Sequence, residues 1–298
     1  MLGAISALQI RILLGIIWLV VFFCTTDPFG LFEEYAGFTL LGIVGAVFAN
    51  ATGAGGGVVF MPFFSQLNFS AATAVSTSFA IQCCGMTAGA ITWWAFYRKL
   101  NAVDGELANQ WQGIGKVILL TVPASIVGVV LVQYLQDSLS IVAEHKTLDL
   151  FFGLFSIVLA VAIFITVPLM KVSQFSQKLS QRDHILLPVI ALVGGIITAI
   201  LSIGVGELVA VYLILRRFNV TFAIACAVML SAFTVWAGIV YHLLISQAVY
   251  WPIVLFAGPG AIIGGILAKR LVLFFSARNL KLFFAGWILI MGLSTLPY

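Results

Sequence analysis

The sequence has very few charged residues for its length. Lys and Arg number 14 and Asp and Glu number 10 in 298 residues, which is 8 % of the chain. Soluble domains carry about 25 % charged residues, so this chain cannot cover a water-facing surface. A soluble enzyme, a nucleic-acid binder and a disordered protein are therefore excluded. The hydrophobic share of 62 % predicts an all-α polytopic membrane protein with the lipid bilayer as its surroundings.

Sequence motifs of enzymes and of ATP-driven pumps are missing as well. The chain has no Gly-x-x-x-x-Gly-Lys-[Ser/Thr] loop, no Gly-x-Ser-x-Gly elbow and no His-Glu-x-x-His pair. Its four cysteines lack metal-ligand spacing, and only three histidines are present. We therefore expect neither an enzyme nor a cofactor, no metal site and no nucleic-acid partner.

Long apolar stretches and basic loops give the expected topology. Four basic loops, at 98–99, 171–182, 216–217 and 269–281, are placed in the cytoplasm by the positive-inside rule, together with the N-terminus. Seven segments can each span a bilayer, which takes about 20 apolar residues: 4–24, 71–97, 113–134, 148–170, 221–245, 252–274 and 280–296.

Two longer apolar stretches, 36–64 and 185–215, carry a glycine cluster in the middle. With the basic loops inside, each stretch begins and ends on one side of the membrane. This favours two half-length helices folded back at the glycines, with an ordinary tilted span as the alternative. The two glycine motifs align at an offset of 151 residues. We therefore predict two inverted-topology repeats, 1–146 and 147–278, followed by an extra C-terminal helix, 279–298.

The glycine clusters are the candidate substrate site. A helix that begins inside the membrane has backbone N–H groups without intrahelical partners, and these favour an anion. Glycines let a substrate approach the backbone, and neighbouring polar side chains add donors; the alternative is close helix packing through small residues. The candidate substrate-binding residues are Asn50, Thr52, Gly53, Gly55, Gly56, Gly57, Gln82, Ser202, Gly204 and Gly206.

The first motif, Asn-Ala-Thr-Gly-Ala-Gly-Gly-Gly at 50–57, is followed by Pro62 and by the small-residue helix 71–89. This pattern resembles the signature of the sulfite exporter TauE/SafE family of membrane permeases, over essentially the whole chain. The second motif departs from it, because Glu207 stands where a third glycine is usual. The resemblance implies export of small sulfur-containing anions, such as sulfite, sulfoacetate or related organosulfonates, across the bacterial inner membrane.

Glu207 is the carboxylate that lies deepest in an apolar stretch. A carboxylate removed from water takes up a proton more readily, so Glu207 is the candidate coupling residue, for H⁺ or Na⁺. The alternative is a carboxylate at the cytoplasmic mouth that pairs with Arg216 or Arg217. The sequence shows no buried Lys or Arg. Trp93 and His242 fall at the ends of spans and are expected at the membrane interface.

The predicted function is therefore a secondary transporter that works by alternating access and is driven by an ion gradient. An anion channel, or a membrane subunit of a larger complex that transports nothing alone, is the alternative. The sequence leaves open the exact substrate, the direction of transport, the coupling ion and the oligomeric state. It also leaves open whether Cys83 and Cys84 contact the substrate.

Overall fold

A computed structural model of the protein describes residues 7–102, 109, 111–139, 145–169, 178–294 and 296. Its regular structure in this part of the chain is helical. The helices are α1 (Ala7–Phe23), α2 (Pro28–Tyr35), α3 (Phe38–Thr52), α4 (Gly57–Gln66), α5 (Ala71–Asn101), α6 (Ile114–Leu139), α7 (His145–Leu169), α8 (Gln181–Leu201), α9 (Val205–Leu215), α10 (Val220–Tyr241), α11 (Trp251–Phe274) and α12 (Ala277–Ser294). A π-helical turn, His242–Ser246, extends α10.

Five of the described helices are long and apolar enough to cross a membrane, namely α5, α6, α8, α10 with its π-helical turn, and α11. A sixth span is formed if α1 and α2 are counted together, although the chain bends by 114° between them. Asp27 at this bend accepts a hydrogen bond from Gly30 N and so caps α2. The prediction of an all-α polytopic membrane protein is confirmed.

Both long apolar stretches are divided into two helices at their glycines. The first break covers residues 53–56, between α3 and α4, and the second covers 202–204, between α8 and α9. Each break begins with a left-handed residue, Gly53 at φ 80° and Ser202 at φ 60°. Only glycine adopts this conformation at no cost; Ser202 bears a strain of about 1 kcal/mol. The predicted breaks are confirmed, whereas the return of each hairpin to its own side of the membrane stays a prediction.

Local backbone structure recurs in the two parts of the chain at an offset of 149 residues. Helices α5 and α10 begin at Ala71 and Val220, and the turns before them contain Asn68 and Arg217, both left-handed. The same offset relates three further pairs: Gly53 with Ser202, Phe69 with Phe218, and the N-cap residue Ser70 with the N-cap residue Asn219.

This offset corrects the register predicted from the glycines. At 149 residues Gly55 corresponds to Gly204, whereas the sequence motif paired Gly204 with Gly53. The glycine positions therefore misplace the second break by two residues, because Ser202 performs there the helix-ending role that a glycine performs in the first. Val58 then corresponds to Glu207, so only one of the two breaks is followed by a carboxylate.

The first helix of each broken pair packs on a helix from the other part of the chain. Helix α3 packs chiefly on α11, and α8 packs chiefly on α6. Glycines permit this approach, since a Cβ added at Gly42 would collide with the carbonyl oxygen of Ala257, and one at Gly195 with that of Ser125. Helices α5 and α10 pack against each other between these two pairs. The breaks are thereby held near the middle of the bundle.

An ion pair joins the beginning of α8 to the end of α9. The carboxylate of Asp183 is fully buried and accepts hydrogen bonds from Arg216 Nε at 2.8 Å and from the hydroxyl of Tyr212. Asp183 also caps α8, because its Oδ2 accepts from the backbone N–H of Ser180 at 2.7 Å. This group ties the outer ends of the second broken pair together.

Replacing Arg216 with glutamine is expected to lower the free energy of unfolding by about 1–3 kcal/mol, because the buried carboxylate of Asp183 loses its charged partner. The loss stays in this range because Arg216 is 41 % exposed and solvent already screens the pair. The neighbouring change Arg217→Gln removes the same charge from an exposed side chain and serves as the control. Thermal unfolding in detergent measures both; equal effects of the two changes contradict the structural role of the pair.

Candidate functional site

The two breaks lie directly against each other. A Cβ added at Gly206 would collide with the carbonyl oxygen of Gly53, and one at Gly57 would lie 2.6 Å from that of Ser202. Such distances are shorter than any real contact of a Cβ atom, so the backbones approach as closely as glycine permits. The glycine clusters that the sequence singled out therefore meet at one place in the fold.

Glu207 joins the two breaks through its carboxylate. Its Oε1 accepts a hydrogen bond from Gly55 N at 2.8 Å, and its Oε2 accepts one from Gly204 N, also at 2.8 Å. The side chain is only 4 % exposed. Among the described residues it forms an ion pair with neither Arg216 nor Arg217, so the alternative of a Glu207–arginine pair is wrong. The backbone donors from the two breaks thus hold one carboxylate.

Gln82, near the middle of α5, makes a second connection between the breaks. Its Oε1 accepts from Gly56 N at 2.8 Å, and its Nε2 donates to the hydroxyl of Ser202 at 2.7 Å and to its carbonyl oxygen at 3.1 Å. The same Nε2 lies 3.0 Å from Ser78 Oγ, and the hydroxyls of Ser78 and Ser202 are 2.9 Å apart. Gln82 is 2 % exposed, so this network is removed from solvent and fixes the relative position of the breaks.

The two polar residues that precede the first break lie apart from each other. Asn50 is fully buried and faces α5, where its Nδ2 donates to Gly85 O at 3.3 Å and its Oδ1 faces Gly89. Thr52 stays at the break, since its hydroxyl accepts from Ala54 N at 3.0 Å and donates to Phe48 O. The structure therefore gathers Gln82, Ser202 and the glycines, with Thr52 beside them, and turns Asn50 toward a helix interface.

A cleft lined by aliphatic side chains reaches Glu207, and its polar lining residues are Thr52, Glu207 and Lys281. Lys281, on α12, is 8 % exposed. The expectation that no Lys or Arg is buried is therefore wrong. The sequence held a signal for Lys281, since it also falls inside the apolar segment 280–296, although it was counted with the basic loop 269–281.

Two residues expected at the membrane interface are buried inside the protein. His242 is 4 % exposed; its Nδ1 lies 2.9 Å from Ser76 Oγ, and its Nε2 lies 3.3 Å from Gln133 Nε2. Trp93 is fully buried and stacks on Trp111. Both predictions rested on position within the span, which does not distinguish the lipid-facing side of a helix from the protein-facing side.

The cysteines of α5 lie at helix interfaces. Cys83 is buried, and its Sγ lies 3.6 Å from Val235 O on α10, whereas Cys84 contacts Gly258 on α11. Their described contacts are with these neighbouring helices and not with the breaks.

Sequence reasoning missed Asp183 and Ser231 as buried polar residues. A signal for Asp183 was available, because Ser180 three residues earlier completes a capping-box pattern. Ser231 had no signal. It lies in the apolar helix α10 at 2 % exposure, its hydroxyl contacts Gly206, and it has no hydrogen-bond partner in the described part of the chain.

In this structure, membrane-spanning helices surround two broken helices, and backbone donors of both breaks meet at one point. This is the architecture of a membrane transporter. The model of the sulfite exporter TauE/SafE family matches residues 38–295 of this chain. The chain therefore belongs to the TauE/SafE family, whose members are multi-pass membrane transporters. Comparison with curated proteins gives no match, and comparison with solved structures gives none either.

Proposed function

We propose that the protein is a secondary transporter that exports small sulfur-containing anions, such as sulfite, sulfoacetate or related organosulfonates. The substrate binds at the paired breaks, between the backbone N–H groups of Gly55, Gly56 and Gly204, with Gln82 and Ser202 as neighbouring polar side chains. Family membership supports anion transport. The choice of sulfur anions and the direction of transport are our extension of it.

One observation carries this proposal: the backbone donors of both breaks already hold a carboxyl group. The carboxylate of Glu207 accepts from Gly55 N and from Gly204 N, which belong to different parts of the chain. A sulfonate or sulfite group presents oxygens of similar spacing and charge to the same donors. Backbone N–H groups at helix breaks thus take the place of an arginine in anion binding.

Glu207 is the coupling residue in this proposal, with H⁺ or Na⁺ as the coupling ion. An intramembrane carboxylate is costly unless it serves a function, and this one contacts both breaks at once. Rocking of the two parts of the chain about the breaks gives alternating access, in the manner of inverted-repeat transporters. We place the protein in the bacterial inner membrane with its N-terminus in the cytoplasm.

Purified protein in liposomes is expected to exchange sulfur oxyanions across the bilayer in a saturable manner. Vesicles are loaded with sulfite, thiosulfate, sulfate, sulfoacetate, taurine or acetate, and counterflow of labelled sulfoacetate is measured. An imposed proton or sodium gradient identifies the coupling ion, because only the coupled gradient drives accumulation. Protein-free vesicles are the control.

Three results contradict the proposal, and each indicates a different substrate or function. Preference for acetate over all sulfur oxyanions overturns the substrate class. Flux that does not saturate and shows no counterflow indicates an anion channel. Absence of transport by correctly folded protein indicates a subunit that needs a partner.

A further inference from the structure

We infer that Glu207 competes with the substrate, occupying the backbone donors that the anion needs and leaving them when the anion binds. This inference rests on the proposed function and adds the order of events at the site. Its basis is that Gly55 N and Gly204 N, one from each break, both donate to the carboxylate of Glu207. Each N–H donates one hydrogen bond, so a substrate that uses these donors displaces Glu207.

The negative charges of the substrate and of ionised Glu207 strengthen their mutual exclusion from the breaks. Two anions that share a buried site repel each other, and one of them is neutralised or moves away. A substrate anion and an ionised Glu207 therefore occupy the breaks in turn. Protonation ends the conflict, because a carboxylic acid donates through its O–H and accepts less strongly from the two backbone N–H groups. A proton on Glu207 and an anion at the breaks are then bound together.

The surroundings of Glu207 provide a place for the displaced side chain. Glu207 lines the cleft that Lys281 of α12 also lines, and both are almost fully buried. Movement of the carboxylate into this cleft brings it toward the amino group of Lys281 instead of into lipid. Lys281 thus offers a second position in which the charge of Glu207 is tolerated.

Ser231 provides an independent sign that the breaks accept a further ligand. Its hydroxyl is 2 % exposed, lies against Gly206 and has no partner among the described residues. Buried hydroxyls are nearly always hydrogen-bonded. An oxyanion held at the breaks supplies an acceptor for this hydroxyl, which the carboxylate of Glu207 does not.

Few other ionisable groups could cause a pH dependence of anion binding at the breaks. Helices α3 and α4 contain no charged side chain, and neither does α10. The charged residues of α8 lie in its first turn, at the end remote from the break, where Asp183 is bound by Arg216 and Tyr212. Among the ionisable residues of the described part, Lys281 is the one that lines the cleft with Glu207.

The test measures sulfoacetate binding by calorimetry from about pH 6 to about pH 8, a range in which the charge of a sulfonate is constant. Wild-type protein is expected to lose roughly tenfold in affinity toward the alkaline end, as ionised Glu207 holds the donors more firmly. Glu207→Gln is expected to bind more tightly than wild type at the alkaline end and with little pH dependence. The amide offers only one acceptor and places an N–H against the second backbone donor.

A second variant keeps the test decisive if the glutamine variant fails to fold. Glu207→Asp retains the charge, but its shorter side chain frees one of the two backbone donors, so at alkaline pH it is expected to bind sulfoacetate more tightly than wild type and less tightly than Glu207→Gln. Glu34→Gln, on the exposed part of α2, is the control and is expected to match wild type.

The outcomes separate this inference from the proposed function. Weaker or unchanged binding by folded Glu207→Gln and Glu207→Asp overturns the competition, as does a wild-type affinity independent of pH. In those cases a wild-type protein that still transports sulfoacetate leaves the proposed function intact. A wild-type protein that neither binds nor transports sulfur anions overturns both.

Discussion

Replacing Gly206 with alanine is expected to abolish transport and to lower the free energy of unfolding by about 2–4 kcal/mol. The added methyl group would collide with the carbonyl oxygen of Gly53 and with the hydroxyl of Ser231. The first of these is backbone and cannot turn away, so the two breaks separate. Glu207 then no longer reaches Gly55 N, and the site that depends on both breaks is lost.

Gly286→Ala is the matched control for this change. Gly286 also lies within a helix, α12, but a Cβ there meets nothing within 4 Å. Alanine favours the helix by up to about 1 kcal/mol over glycine, so this variant is expected to be as stable as wild type or slightly more so, with full transport. Thermal unfolding and liposome counterflow measure both variants. Normal transport by Gly206→Ala contradicts the assignment of the site to the contact between the breaks.

Replacing Gln82 with leucine is expected to lower stability by about 2–4 kcal/mol and to eliminate substrate binding. Leucine has nearly the same volume but leaves the N–H of Gly56 and the carbonyl oxygen of Ser202 without their partner in a dry interior. Each unsatisfied buried group costs about 1–3 kcal/mol. The breaks also lose the connection that fixes their relative position.

Gln133→Leu separates loss of stability from loss of function. Gln133 is equally buried, and its amide donates to Gly238 O at 2.9 Å and reaches His242, away from the breaks. Its replacement is expected to lower stability by a similar amount, whereas sulfoacetate affinity of the folded fraction stays within about twofold of wild type. Equal loss of binding by both glutamine variants shows that the effect of Gln82 is one of general stability.

The sequence predicts the first break well, because glycine conformation is a local property. The C-terminal end of α3 follows directly from Gly53, since few other residues adopt its backbone angles. The polar side chain of Gln82 in an apolar helix also singled out a residue that the structure places at the breaks. A single carboxylate in an apolar segment was enough to single out Glu207.

The failures to predict burial share one cause: the interior and the lipid-facing exterior of this protein are both apolar. Hydropathy identifies a helix in a membrane but not which of its sides faces protein, so the burial of Trp93 and Lys281 could not be predicted. The orientation of Asn50 depends on Gly85 O of α5, which is 35 residues away along the chain. Ser202 escaped detection as a helix end because a serine in a left-handed conformation has no sequence signature.

The packing of α3 on α11 has a consequence for the order in which parts of the protein come together. Gly42 finds its contact only at Ala257, so the ribosome must synthesise more than 200 further residues before α3 meets its main neighbour. Gly55 N likewise lacks its partner until Glu207, 152 residues further along the chain, has been made. The first break is thus completed by residues of the second part of the chain, so the site forms only after that part has been made.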